Sequence, residues 1–162
     1  MTDLELMQEA LALAKEAAAD GEVPVGCVIA KNGQIVGRGR NRREKDKSAL
    51  AHAEIEAIRE ACEALGGWRL WECDLFVTLE PCPMCAGAIV NARIPRVVYG
   101  ASDDKCGAVR SVCALFDMRF NHHPAVEAGL LEEECKAVLQ EFFKDLRIRL
   151  KDRPKWKKRT ED

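Results

Sequence analysis

Two short stretches, His52-Ala53-Glu54 and Thr78-Leu79-Glu80-Pro81-Cys82-Pro83-Met84-Cys85, restrict what this chain can fold into more than any other feature. Cys82 and Cys85 are spaced i, i+3, so a helix beginning at about Cys82 or Pro83 sets both sulfurs on one face of its first turn. A helix N-terminus favours the thiolate, the form that binds metal. His52 and Glu54 are spaced i, i+2, about 200° apart around a helix, and cannot share a target from mid-helix. They converge only on a target lying over the helix's own N-terminal end. The fold therefore has to aim two helix ends at one point, with His52, Cys82 and Cys85 as ligands and Glu54 beside them. Three protein ligands leave the fourth zinc position for water, which is the catalytic type of site.

A C-x-x-C pair alone also reads as a redox couple or as half of a structural zinc site. With H-x-E ahead of it and prolines at 81 and 83, the pattern resembles that of the zinc-dependent nucleobase deaminases.

At 162 residues the length predicts one domain, residues 1–150, followed by a basic and disordered tail, 151–162. The acidic start, Met-Thr-Asp-Leu-Glu, lacks the basic region of a signal peptide, and no apolar run is long enough for a bilayer. A cytoplasmic protein with no membrane contact is expected, its Cys27, Cys62 and Cys73 acting as small buried hydrophobes. The net charge of −2 conceals an asymmetry. Residues 1–143 carry 16 basic and 23 acidic side chains, whereas 144–159 carry nine basic and two acidic. An acidic body with a basic end points to a polyanionic partner. A solvated helix end accounts for Arg147 and Arg149 equally well, but less well for the Lys155–Arg159 cluster around Trp156.

Leu4, Met7, Leu11, Ala14 and Ala18 recur at helical spacing behind a Thr2–Glu5 capping box, predicting a helix over 3–19. Asn32-Gly33 between the apolar runs 23–29 and 34–37 predicts a hairpin, and 38–48 a polar loop. Helix two is expected over 51–65 with Ile55, Ile58, Cys62 and Leu65 buried. Strands follow at 74–79 and 96–99, with helix three at 83–91 between them. A short helix near 111–116, an edge strand at 125–128 and a long helix at 130–150, with Leu131, Cys135, Val138, Phe142 and Leu146 inward, complete the chain. The order predicts a three-layer α/β domain, a mixed five-stranded sheet with helices on both faces.

At this level of detail the chain resembles the bacterial tRNA-specific adenosine deaminases of the cytidine deaminase-like superfamily. The resemblance spans roughly residues 2–148. It rests on Glu22-Val23-Pro24-Val25-Gly26, Asn41-Arg42, the two metal-site stretches, Arg93-Ile94, Val97 to Ala101, Asp103, Lys105, Gly107-Ala108, Asn121-His122, Glu134-Cys135 and Phe142-Phe143. The metal motif is shared with cytosine and guanine deaminases. Asp103-x-Lys105-x-Gly107, Asn121-His122 and the Phe-Phe helix resemble the tRNA branch. The stretch between Gly107 and Asn121 is one residue shorter than usual there and carries Val109-Arg110 where small residues are usual.

The resemblance implies one zinc per subunit and a metal-activated water, with Glu54 shuttling its proton to the adenine ring. It implies Asn41 and the Ala53 backbone at the target base, Asp103 near its sugar, and Asn121, His122 and Phe143 at flanking nucleotides. It further implies a homodimer that converts the wobble adenosine of a tRNA anticodon stem-loop, that of arginine tRNA with an ACG anticodon, to inosine. Read without it, Asn41 caps a turn, Asp103 sits in a solvated loop and Phe143 packs in the core. The alternatives are a free-base deaminase for guanine or cytosine and a zinc-stabilised RNA-binding module without catalysis, for which Glu54 has no use.

Overall fold

The computed structural model describes residues 1–151. Its elements are α1 (Asp3–Ala19), β1 (Gly26–Lys31), β2 (Gln34–Arg40), α2 (Ala53–Leu65), β3 (Cys73–Leu79), α3 (Pro83–Asn91), β4 (Arg96–Ala101), a 3-10 turn (Leu115–Asp117), β5 (Ala125–Ala128) and α4 (Glu132–Lys151). The basic cluster at 155–159 and the expected disorder of the tail lie outside the described residues, and Lys151, the first residue of the expected tail, is helical.

One five-stranded sheet runs β2-β1-β3-β4-β5. β1 pairs antiparallel with both β2 and β3, and the β3-β4 and β4-β5 pairs are parallel. Strand alternation divides the apolar side chains between two layers. Cys27, Ile29, Leu75, Val77, Val97 and Tyr99 face α2 and α3. Val28, Ala30, Phe76 and Val98 face α1 and the start of α4. Both faces are therefore covered, and the three central strands read as apolar runs for that reason.

Several sequence expectations hold in detail. Thr2 and Glu5 form the capping box, with the Thr2 N–H donating to Glu5 Oε2 at 2.7 Å and the Glu5 N–H to Thr2 Oγ1 at 3.2 Å. Asn32 and Gly33 both take positive φ, 52° and 74°, the type I′ geometry of a two-residue hairpin.

Other expectations are corrected. On α1 the buried stripe is Leu6, Met7, Ala10, Leu11, Ala14 and Ala17, and Leu4 is exposed. On α2 the buried residues are Ala53, Glu54, Ala57 and Ala61, whereas Ile55, Ile58 and Cys62 are half-buried and Leu65 exposed. The cause lies in β2, which continues to Arg40 instead of giving way to a loop at 38. A Cβ on Gly37 would overlap the backbone of Ala57, and one on Gly39 the backbone of Ala53. Glycine on the strand and alanine on the helix let the two backbones touch, and the larger residues are turned aside. The short helix expected at 111–116 is the 3-10 turn at Leu115–Asp117. On α4 only Cys135 is fully buried; Leu131, Val138, Phe142 and Leu146 are half-buried.

Candidate active site

β3 leaves the sheet at Leu79, and Glu80-Pro81 carry the chain to the first turn of α3. Cys82 is the N-cap residue, extended at φ −72° and ψ 173°, and Pro83 takes the first helical position, where its missing N–H costs nothing. Cys85 falls in the same first turn. α2 is built the same way: His52 is its N-cap residue, extended at φ −84° and ψ 154°, so the helix begins at Ala53 and not Ala51. Neither N-cap side chain makes a capping bond, and the His52 imidazole and the Cys82 thiol lie within reach of each other. Glu54, in the first turn of α2, is only 4% exposed.

His52 Nδ1 lies 3.6 Å from Cys82 Sγ and 3.5 Å from Cys85 Sγ. These three atoms all lie within 4.8 Å of one another. With Zn–S at about 2.3 Å and Zn–N at about 2.05 Å, a tetrahedral N···S edge is about 3.6 Å, so both N···S separations match those a zinc ion requires. Their protons are unevenly shared. The Cys82 thiol is drawn down to about 4, first by the Cys85 thiol donating to it and then by His52. Cys85 is pushed up by the same bond and by burial. The bond to Cys82 raises His52 above the ordinary imidazole range. Burial lifts the Glu54 carboxyl to about 7, the range in which a carboxyl can both take and return a proton.

A pocket of about 200 Å³ opens over this group. His52, Ala53, Glu54 and Cys82 form its floor, Val23, Val25 and Leu79 its apolar walls, and Asn41, Arg43, Asp103 and Cys106 its rim, with the buried Glu80 also in its lining. The structure thus brings Asn41, Ala53 and Asp103 to the metal-ligand group. Asn41 does cap a turn, its Oδ1 accepting from the Arg43 N–H at 3.2 Å while Nδ2 donates to the Val23 carbonyl at 3.2 Å, and it lines the pocket as well. Asp103 Oδ1 accepts from the Lys105 and Cys106 N–H groups. Asn121, His122 and Phe143 do not line the pocket. Asn121 is exposed, the His122 ring bonds the Ile94 carbonyl through Nε2 at 2.7 Å, and Phe143 sits 40% exposed on α4, edge-on to Phe142 and not in the core.

Sequence reasoning missed the apolar walls, the rim residues Arg43 and Cys106, and two buried carboxylates, Glu80 in the pocket lining and Glu22 outside it. The walls come from segments far apart in the chain and carry no local signal. Glu80 had one: a charge closing the apolar run 75–79 just before a proline turn must find donors if the fold buries it.

A family model described as MafB19-like deaminase matches residues 1–147. The tRNA-specific adenosine deaminase of Bacillus subtilis (strain 168) is 50% identical over 153 residues, which cover 93% of this chain and 95% of that protein. A solved structure from work on A-to-I editing by tRNA:A34 deaminases at the wobble position of transfer RNA superposes with a TM-score of 0.81 at 48% identity, covering 83% of this chain and 99% of that one. A guanine deaminase from Bacillus subtilis superposes less closely, with a TM-score of 0.61 at 33% identity over 87% of this chain and 94% of that one. The three-layer architecture is accordingly the cytidine deaminase-like fold, and the chain belongs to the family of bacterial tRNA-specific adenosine deaminases.

Proposed function

We propose that the chain deaminates the wobble adenosine of a tRNA to inosine by hydrolysis, with an arginine tRNA bearing an ACG anticodon as substrate. One observation carries this reading: a buried carboxylate, Glu54, stands beside a three-donor metal group on the floor of a pocket that opens at the surface. An imidazole and two thiolates suit zinc, and zinc held there supplies the Lewis acidity that makes water nucleophilic near neutral pH. Glu54 takes the proton of the attacking water and passes it to the purine ring nitrogen. It then takes the remaining proton from the added oxygen and hands it to the amine as the C–N bond breaks, so that adenosine and water become inosine and ammonia.

The apolar walls from Val23, Val25 and Leu79 receive the flat faces of the base. Asn41 and the Ala53 backbone meet its polar edge, and Asp103 meets the ribose. At about 200 Å³ the pocket is smaller than the roughly 300–1,000 Å³ of drug-sized sites. It suits one base delivered out of a strand, and an anticodon loop offers bases already unstacked. Asn121, His122 and Phe143, which stand away from the pocket, are assigned to the nucleotides on either side. The active form is a homodimer with one zinc per subunit. The eight free cysteines favour a reducing compartment, the cytosol. No helix among the described residues is long and apolar enough to cross a membrane.

The test is inosine formation on anticodon stem-loops, with free adenine, guanine and cytosine run beside them. The ACG stem-loop should react and the free bases hardly at all, because binding energy from the rest of the RNA is missing. Deamination of guanine with none on any stem-loop would move the protein to the chemistry of its 33%-identical neighbour.

A further inference from the structure

The loop between β4 and the 3-10 turn supplies Asp103 and Cys106 to the pocket rim, yet it has no ladder or helix to hold its first half. What holds it is one carboxylate. Glu80, 2% exposed, accepts through Oε1 from the Asp103 N–H and the Ser111 hydroxyl, and through Oε2 from the N–H groups of Val109, Arg110 and Ser111 at 3.1, 2.9 and 3.0 Å. Five donors from one loop therefore converge on one buried side chain. The neighbouring backbone adds two bonds, Ala108 N–H to the Pro81 carbonyl at 2.9 Å and Glu80 N–H to the Ala101 carbonyl at 2.8 Å. Gly107 is pressed against the same carboxylate so closely that a Cβ there would overlap it. That contact explains why the position is glycine although its φ is not positive.

A second segment that lines the pocket is held by the same device on a smaller scale. Glu22, also 2% exposed, accepts from the Glu44 and Lys45 N–H groups at 2.9 and 3.1 Å and so fixes the loop that carries Asn41 and Arg43. Charge-assisted bonds to a buried acceptor are about twice as strong as neutral ones, and they fix direction as well as distance. A single buried carboxylate with five donors is far more than solubility or local capping needs.

We infer that Glu80 is a positioning residue for substrate: by gathering the N–H groups of 103–111 it fixes the Asp103 wall of the pocket relative to the metal-ligand turn that begins two residues later. Asp103 has one carboxylate oxygen committed to the Lys105 and Cys106 N–H groups and its other oxygen without a protein partner among the described residues, so the fixed loop presents an acceptor at the pocket mouth. The bound class this suits is a nucleoside unit with its sugar hydroxyls, not a free base. The inference rests on the substrate reading above for its kinetics, and on backbone protection for a readout independent of that reading.

The experiment uses Glu80→Gln, which keeps the size but sets an NH₂ group against backbone donors, and Ser111→Ala, which removes a single donor and spares the fold. KM on the anticodon stem-loop and amide hydrogen exchange are measured for both and for the wild type. Expected for Glu80→Gln are a KM raised about tenfold or more with kcat within about threefold, since the wall is misplaced but the reacting groups are not. Amides 109–111 should exchange faster while those of α2 and α3 keep their protection. Ser111→Ala should move both readouts in the same direction by less, and it decides the matter alone if Glu80→Gln does not fold. Deprotected amides with an unchanged KM would overturn the inference, as would an equal loss of protection throughout the protein. A wild type inactive on every stem-loop would sink the substrate reading instead. Exchange alone then judges the clamp: local deprotection upholds it, and unchanged protection of 109–111 refutes it.

Discussion

At the scale of single residues, the candidate metal donors and the acid–base group are different side chains, although His52 and Glu54 share the start of α2. Cys82 and Cys85 come from α3, and Glu54 from α2. Cys82→Ala or Cys85→Ala should take bound zinc from one per chain to nearly none, because two remaining donors do not make a stable site. Elemental analysis after dialysis checks this. Binding should also weaken as pH falls, since both thiols and the imidazole must give up protons to a metal. Asp103→Ala should leave zinc in place and raise KM on an RNA substrate, with little change in melting temperature, because among the described residues its side chain bonds only two N–H groups of its own loop. Persistence of full metal content after loss of either cysteine would mean that the donor set is wrong.

At the scale of elements, α2 is set against β2 by contacts between backbones, with Gly37 and Gly39 beneath Ala57 and Ala53. Gly39→Ala should push the N-terminal turn of α2 outward, costing about 1–3 kcal/mol as overpacking does. For a chain of this size that is roughly 3–10 °C in melting temperature by calorimetry. Activity should fall with it, because the displaced turn carries His52 and Glu54. Arg96 ties another set of elements together: it pairs with Asp3 of α1, Asp74 of β3 and Glu127 of β5, and is itself on β4. The bond from Arg96 holds the Asp3 carboxyl below its ordinary value. A carboxyl depressed in the fold adds stability above its unfolded pKa and loses it as pH falls through the folded one. The melting-point gap between wild type and Arg96→Ala should therefore be present at neutral pH and narrow in acid, below about pH 4.

These elements also mark where the sequence could be read and where it could not. Helix caps, the Asn-Gly hairpin and the ligand spacing are local, and each is written within a few residues. The α2 stripe is not legible from apolar size, because Ala53, Ala57 and Ala61 are buried against Gly37 and Gly39 by being small. The pocket was half legible: its floor comes from two short motifs, while its walls and its Glu80 clamp arise only when β1, β3 and the loop at 103–111 are folded together. Phe143 resembled a site residue and also looked like core, and the fold gives it neither a pocket contact nor full burial.

At the scale of the whole molecule, the proposed function gives the basic C-terminal end a part in RNA affinity that is distinct from the chemistry. Deleting residues 152–162, which carry five of the nine basic side chains of 144–159, should weaken tRNA binding and flatten its salt dependence. Each lost phosphate contact should lower the log–log slope by about 0.7–0.9. Zinc content should not change. An unaltered slope would leave the tail as solubilising charge. Glu54, beside the candidate metal donors, is proposed to move the proton that turns adenosine into inosine, and metal content measured together with turnover decides whether it does. Zinc content and single-turnover inosine yield on the ACG stem-loop are determined on the same samples of wild type and Glu54→Ala, in heavy-oxygen water. The account predicts one zinc per chain in both proteins, heavy oxygen in the inosine made by the wild type, and a rate lower by about 10²–10⁴-fold in the variant. Near wild-type turnover by Glu54→Ala with its zinc in place would contradict it.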